Sequence, residues 1–190
     1  MLSAGLAAAA VAVPSASAAL NPVVFGSTFM LSGAVANGKA GETVQVLARA
    51  YGESKFGAIG TATTTANGHW TFTSTPRITT AYQAVWHAST TATITAHVTP
   101  RLGLALHSGV LTVTARTANP LRGHSVVVQL RQQGTPWHTV RIVVLGPASR
   151  ATVPFTAPHG VSEIRLYIST AQAGAGYIGG VSGVLVYRNG

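Results

Sequence analysis

The sequence contains no cysteine and no aspartate, and only 8% of its 190 residues are charged. Without cysteine the chain forms no disulfide and offers no thiolate to a metal, so its folding depends on hydrophobic cores. Its side-chain carboxylates are those of Glu42, Glu53 and Glu163. Because calcium needs several carboxylate oxygens and zinc sites draw on cysteine, histidine and carboxylates together, we expect no metal site and no cofactor.

The spacing of the glutamates argues against acid–base catalysis. Glu42 and Glu53 flank one predicted strand, which at about 3.3 Å per residue separates them by up to roughly 35 Å. Paired glycosidase carboxylates lie about 5–9.5 Å apart. No Gly-x-Ser-x-Gly elbow is present, and the seven histidines form no His-x-x-x-His pair. His87 and His97 could meet across neighbouring strands, although polar positions on exposed strands are the simpler interpretation of the histidines. We therefore predict no catalytic residue and a non-enzymatic protein.

The first nineteen residues differ in composition from the rest. Residues 7–13 are an unbroken apolar run, Pro14 ends it, and residues 16–18 read Ala-Ser-Ala. This layout is typical of a secretory signal peptide, although no Lys or Arg precedes the apolar run; an alanine-rich leader is the alternative. A membrane span is disfavoured because the run is much shorter than about 20 residues. We expect a secreted, extracellular protein that is either free in the medium or associated with the cell wall.

Positive charge is concentrated in the second half of the chain. The formal net charge is +9, and residues 1–19 carry none of it. Residues 20–99 contribute +2, from four basic and two acidic side chains. Residues 100–190 contribute +7, from eight arginines and one glutamate. Any anionic partner is therefore expected to meet the second half first.

The two halves of the chain match each other. Three blocks recur in the same order and with similar spacing, which indicates a duplicated domain. The aligned blocks are 41–49 with 123–131, 56–64 with 137–145, and 82–86 with 164–168.

Each half reads as seven short strands separated by turns, the pattern of a β-sandwich. Alternation supports the strands: Val126, Val128 and Leu130 point one way, as do their counterparts in the first half. The predicted strands are 22–26, 28–36, 43–50, 56–64, 69–75, 80–87 and 90–98, then 101–107, 109–117, 125–132, 137–145, 149–156, 162–169 and 181–188. We predict an all-β protein of two tandem immunoglobulin-like sandwiches, 20–99 and 100–190, joined tightly at Pro100.

Three segments of the first half resemble a known group of repeats. Residues 40–46 (AGETVQV), 65–72 (TANGHWTF) and 79–86 (TTAYQAVW) are similar to bacterial, actinobacterial-type, secreted immunoglobulin-like or fibronectin type III-like repeats. The resemblance covers 28–99 well and the second half more loosely. It implies an adhesive, spacer or binding module without catalytic residues. Ala66 departs from the pattern, which usually has aspartate there, and this removes a possible cation ligand.

Two sets of residues are candidates for binding. Arg131, Arg141 and Arg165 fall at outward-facing positions of three strands that share a sheet in such sandwiches, so they could converge on phosphate or carboxylate groups. An anionic wall polymer would fit, or nucleic acid without sequence specificity. A solvated sheet face is the alternative. Among the aromatic residues, Tyr177 in a glycine-rich loop and Trp137 at a strand start could stack on sugar rings, although Trp137 could equally serve packing.

These observations give a leading hypothesis and an alternative. The leading hypothesis is a non-enzymatic extracellular structural or adhesive module. The alternative is a module that binds carbohydrate or an anionic cell-wall polymer, and an accessory part of a secreted hydrolase is a distant third.

Overall fold

A computed structural model describes residues 15–18 and 22–189. The regular secondary structure of these residues consists almost entirely of short strands, with one single-turn α-helix and one 3-10 turn. Of the predicted signal peptide, residues 1–19, the structure describes Ser15–Ala18, and these four residues form a strand. The rest of the predicted signal peptide lies outside the described residues. No helix among the described residues is long and apolar enough to cross a membrane.

Eighteen strands follow one another along the described chain. The first ten are β1 (Ser15–Ala18), β2 (Val23–Val24), β3 (Phe29–Ala34), β4 (Thr43–Ala50), β5 (Gly57–Thr63), β6 (His69–Ser74), β7 (Thr80–Trp86), β8 (Ser89–Thr90), β9 (Ile94–Ala96) and β10 (Val98–Thr99). The others are β11 (Arg101–His107), β12 (Val110–Arg116), β13 (Ser125–Gln132), β14 (His138–Val144), β15 (Arg150–Pro154), β16 (Gly160–Ile168), β17 (Gly180–Val181) and β18 (Leu185–Asn189). The 3-10 turn is Ala66–Gly68, and α1 is Thr170–Ala173.

The chain divides into two compact units. The first unit contains residues 15–18, 29–74 and 81–95, and the second contains 22–28, 75–80 and 96–189. A single boundary after residue 99 remains a prediction, because two short segments of the first half cluster with the second unit. One of them supplies β2, which pairs in parallel with β10 through Val23 and Val98.

The first unit consists of two sheets. Its smaller sheet has the order β1-β3-β6, and its larger sheet has the order β5-β4-β7-β8, with β9 also on β7. Val44, Val46, Tyr82 and Ala84 alternate with more exposed neighbours and are buried, so one face of the larger sheet forms the core. Phe29 of the smaller sheet stacks on Tyr82, with 5.5 Å between ring centroids.

The second unit repeats this arrangement. Its smaller sheet has the order β11-β12-β15, and its larger sheet has the order β14-β13-β16-β17, with β18 also on β16. Val113 from the smaller sheet, and Val126, Val128 and Leu166 from the larger one, are fully buried between them. Two antiparallel sheets that bury alternate residues in this strand order define an immunoglobulin-like sandwich. The predicted all-β fold is confirmed.

The predicted duplication appears in the pairing of the strands as well. The first pair of aligned blocks lies on β4 and β13, the second on β5 and β14, and the third on β7 and β16. Both units even share a β-bulge: the register shifts after Val46 in the first and after Val128 in the second, and the extra residues are Ile59 and Val140. An irregularity at equivalent positions is what a common ancestral domain would leave.

Candidate functional site

Arg131 and Arg165 lie on the outer face of the larger sheet of the second unit. Arg131 stands opposite Glu163, and Arg165 stands opposite Gln129, across the β13–β16 pair. Their neighbours along each strand, such as Leu130, point into the core. The alternation of β13 and β16 therefore places both arginines as predicted.

Trp137 brings these two arginines together. The guanidinium carbon of Arg131 lies 4.6 Å from the centroid of the indole ring, and that of Arg165 lies 4.2 Å from it. The short connection between β13 and β14 positions the ring, because Thr135 hydrogen-bonds through its hydroxyl to both the N–H and the C=O of Gln132 and closes a turn there. The ring thus serves as a platform for two cations, each stack contributing about 0.5–1 kcal/mol at an exposed site.

The two arginines differ in their polar partners. Arg131 donates from Nε and Nη2 to Oε2 of Glu163, each at 2.6 Å. Arg165 donates from Nε to the amide oxygen of Gln129 at 2.8 Å, and among the described residues its Nη1 and Nη2 groups have no hydrogen-bond partner. One cation is therefore neutralised by a carboxylate, whereas the other keeps its charge and four of its five N–H donors for an external anion. We call these four residues, together with Trp137, the Arg–Trp cluster.

Arg141 lies elsewhere, and its predicted outward orientation is wrong. The bulge at Val140 inserts one residue into β14, so Arg141 stands opposite the buried Val128. Residues that stand opposite each other lie on the same face of the sheet, so Arg141 occupies an inward-facing position. Because β14 is an edge strand, the side chain of Arg141 still reaches solvent, and its Nη1 donates to the carbonyl oxygen of Pro154. It borders a groove of about 470 Å³ that Phe155 also lines. The three arginines do not converge.

Tyr177 is not the exposed aromatic that its glycine-rich loop predicted. Only 6% of its surface is accessible, and its hydroxyl donates to the carbonyl oxygen of Arg77 and accepts from the N–H of Ala118. The loop begins with α1, whose N-cap Ser169 accepts a hydrogen bond from Gln172, so part of it is ordered by local capping. The interpretation of Tyr177 as a sugar platform is therefore wrong.

Sequence reasoning missed an apolar row on the same outer face. Ile142, Val127, Tyr167 and Val181 stand opposite one another across β14, β13, β16 and β17. Ile142 is 64% exposed and Val181 55% exposed. At about 4.8 Å between strands, this apolar row is roughly 14 Å long. Arg165 lies two residues from Tyr167 on the same strand and face, so the Arg–Trp cluster borders the row.

The equivalent face of the first unit has different chemistry. Where the second unit has the apolar row, the first has three polar residues and one valine; in the same order they are Thr61, Gln45, Val85 and Thr90. Arg49 stacks on Phe56 at 4.9 Å, which matches Arg131 on Trp137. The alignment of the two halves was the signal that could have revealed this contrast, because it pairs a threonine with Ile142.

Each of the three carboxylates is engaged within its own unit. Glu42 accepts hydrogen bonds from Nε1 of Trp86 and Nδ2 of Asn37, each at 3.1 Å, and these bonds lower its pKa, that of Trp86 having the larger effect. Glu53 accepts from the N–H of Ala50 at 3.0 Å. Glu163 is paired with Arg131 as described above. Within the described part of the chain, no three metal-ligating side chains lie together.

No family model and no curated protein matches this sequence. Among solved structures, the chain is similar to the chicken interferon gamma receptor alpha chain, with a TM-score of 0.49 and 10% identity over 94% of this chain and 98% of that one. It is also similar to a tetra-tandem repeat from the extending region of a large adhesion protein, with a TM-score of 0.36 and 14% identity over 92% of this chain and 49% of that one.

A third similarity is to red sea bream transglutaminase, with a TM-score of 0.39 and 18% identity over 95% of this chain and 32% of that one. At such scores and identities, these similarities say nothing about a ligand or an activity. What the chain binds must be argued from its own residues.

Proposed function

We propose that this protein is a non-enzymatic extracellular adhesive module that binds through the outer face of the larger sheet of its second unit. The observation that carries the proposal is the contrast between two equivalent faces of one duplicated fold. At the four positions of the apolar row the first unit has two threonines, one glutamine and one valine, whereas the second unit has four apolar side chains beside a partly unpaired arginine. Because the two faces belong to sandwiches of the same architecture, folding alone does not require the exposed apolar residues of the second unit.

Two further features support a binding role over catalysis. The three carboxylates hold structural hydrogen bonds, so none is poised as a free acid or base beside a nucleophile. The apolar run of residues 7–13, which is typical of a secretory signal, supports export of the protein. An exported sandwich with one adhesive face would act by attaching to the surface of a cell.

Sedimentation with cell envelopes tests the proposal. The purified full chain is mixed with envelopes of the producing cells, and we expect it to co-sediment. Ile142→Thr installs the residue that the first unit has at the equivalent position. Burying a large aliphatic side chain is worth about 1.5–3 kcal/mol, and threonine keeps part of the apolar surface of isoleucine. The bound fraction should therefore fall about fivefold to tenfold. The matched control Thr61→Ser should bind like the unaltered chain. Equal sedimentation of all three proteins would refute the adhesive face.

An anionic wall polymer is a second candidate ligand. It is favoured by the eight arginines against one glutamate in residues 100–190. A polyanion held by several arginines shows binding that falls steeply with salt, because counterions are released on association. Retention on a heparin column and on immobilised teichoic acid, compared between the full chain and Arg165→Gln, tests this candidate. If retention is unaffected by salt, the polymer is not held by charge.

A further inference from the structure

From the composition of the adhesive face, we infer that its partner is a protein with an acidic surface around an apolar centre. This inference rests on the proposed function, since it identifies the partner of the same face. It specifies that the partner is a protein and that its contact surface is acidic, and it disfavours a second copy of this chain as that partner.

The apolar row favours a protein partner over a soluble polyanion. Ile142 and Val181, at the two ends of the row, are 64% and 55% exposed, and Val144, two residues from Ile142 on the same strand and face, is 60% exposed. Contiguous aliphatic side chains of this kind gain free energy by being removed from water, at about 25 cal/mol per Å². A phosphate or sulfate polymer has little apolar surface with which to cover them, whereas the centre of a protein interface does.

The Arg–Trp cluster has the residue types that dominate binding energy at protein interfaces. Tryptophan, tyrosine and arginine are enriched among the few side chains whose removal costs most. Here Arg165 and Trp137 are held in contact, with Tyr167 two residues further along the same strand. Because the stack fixes the guanidinium before binding, less side-chain entropy is lost when a carboxylate docks on its Nη groups.

Charge disfavours a second copy of this chain as the partner. A carboxylate is needed opposite Arg165, and the chain has only three carboxylate side chains, all engaged in its own units. Two such faces would instead bring Arg131 and Arg165 toward their own copies, in a chain whose net charge is +9. We therefore assign the role of partner to a different molecule, whose surface carries aspartates or glutamates.

Site-specific photocrosslinking tests the inference. Benzoylphenylalanine is placed at position 142 of the full chain in the adhesive face, and at position 61 as the matched control in the first unit. Each protein is irradiated on envelopes of the producing cells, with and without prior protease treatment of the envelopes. We expect a discrete adduct from position 142 only, which disappears after protease treatment. Arg165→Gln in the same chain should reduce its yield about tenfold, as expected for loss of a charged contact.

The composition of the adduct decides the remaining alternatives. Mass spectrometry should identify an acidic protein, and the purified protein should bind the full chain with the same dependence on Ile142 and Arg165. An adduct that survives protease, or contains two copies of this chain, overturns the inference. So does the absence of an adduct while the chain still sediments with the envelopes, an outcome that leaves the adhesive function standing. If the chain does not sediment at all, the adhesive function itself fails.

Discussion

The stack of two arginines on one indole ring predicts a measurable coupling energy. Trp137 contacts the guanidinium groups of both Arg131 and Arg165, whereas Phe56 in the first unit contacts that of Arg49 alone among the residues that the structure describes. At about 0.5–1 kcal/mol per exposed cation–π contact, Trp137→Ala should lose about 1–2 kcal/mol through its stacks, and Phe56→Ala about half as much. The second unit should therefore be more sensitive to removal of its aromatic ring.

A double-mutant cycle separates the stack from ordinary packing. Trp137→Ala and Arg165→Met are made singly and together, and the free energy of unfolding is measured by urea titration followed by far-UV circular dichroism. Methionine keeps the length of the side chain while removing its charge. We expect a coupling of about 0.5–1 kcal/mol between the two positions.

The control for this cycle is the equivalent pair in the first unit. Phe56→Ala with Arg49→Met should give a coupling of similar size, because the geometry is the same with one fewer cation. A coupling of Trp137 with Arg165 below about 0.3 kcal/mol would mean that the ring does not hold the guanidinium in solution. The Arg–Trp cluster would then not be fixed before binding.

Two further predictions concern structural hydrogen bonds. Tyr177→Phe should destabilise the protein by about 1–3 kcal/mol in urea titration, because it leaves the C=O of Arg77 and the N–H of Ala118 without their hydroxyl partner; an unchanged unfolding midpoint would contradict this. The lowered pKa of Glu42 predicts that its contribution to stability is present above the ordinary value of 4.5 and is lost as pH falls through the lower, folded-state pKa. Fluorescence of Trp86 should therefore change with a midpoint below 4.5, and Glu42→Gln should abolish that transition.

Much of the architecture followed from local patterns in the sequence. The strands β4, β11 and β13 have the predicted bounds, because alternation of apolar and polar residues fixes which face is buried and turn residues fix where a strand ends. The same alternation placed Arg131 and Arg165 correctly. Where strands are short or broken, as between residues 89 and 99, the sequence predicted one strand and the structure has three.

What the sequence alone determined is thus the all-β class, the duplication, the excess of arginine in the second half and the lack of aspartate and cysteine. Tertiary structure alone decided which of the candidate residues meet. A bulge of one residue turned Arg141 to the inner face, since side chains alternate with a period of two and one insertion reverses them. Tyr177 is buried because distant backbone groups of Arg77 and Ala118 bond its hydroxyl. The apolar row exists only where four strands align, and no single segment of the sequence contains it.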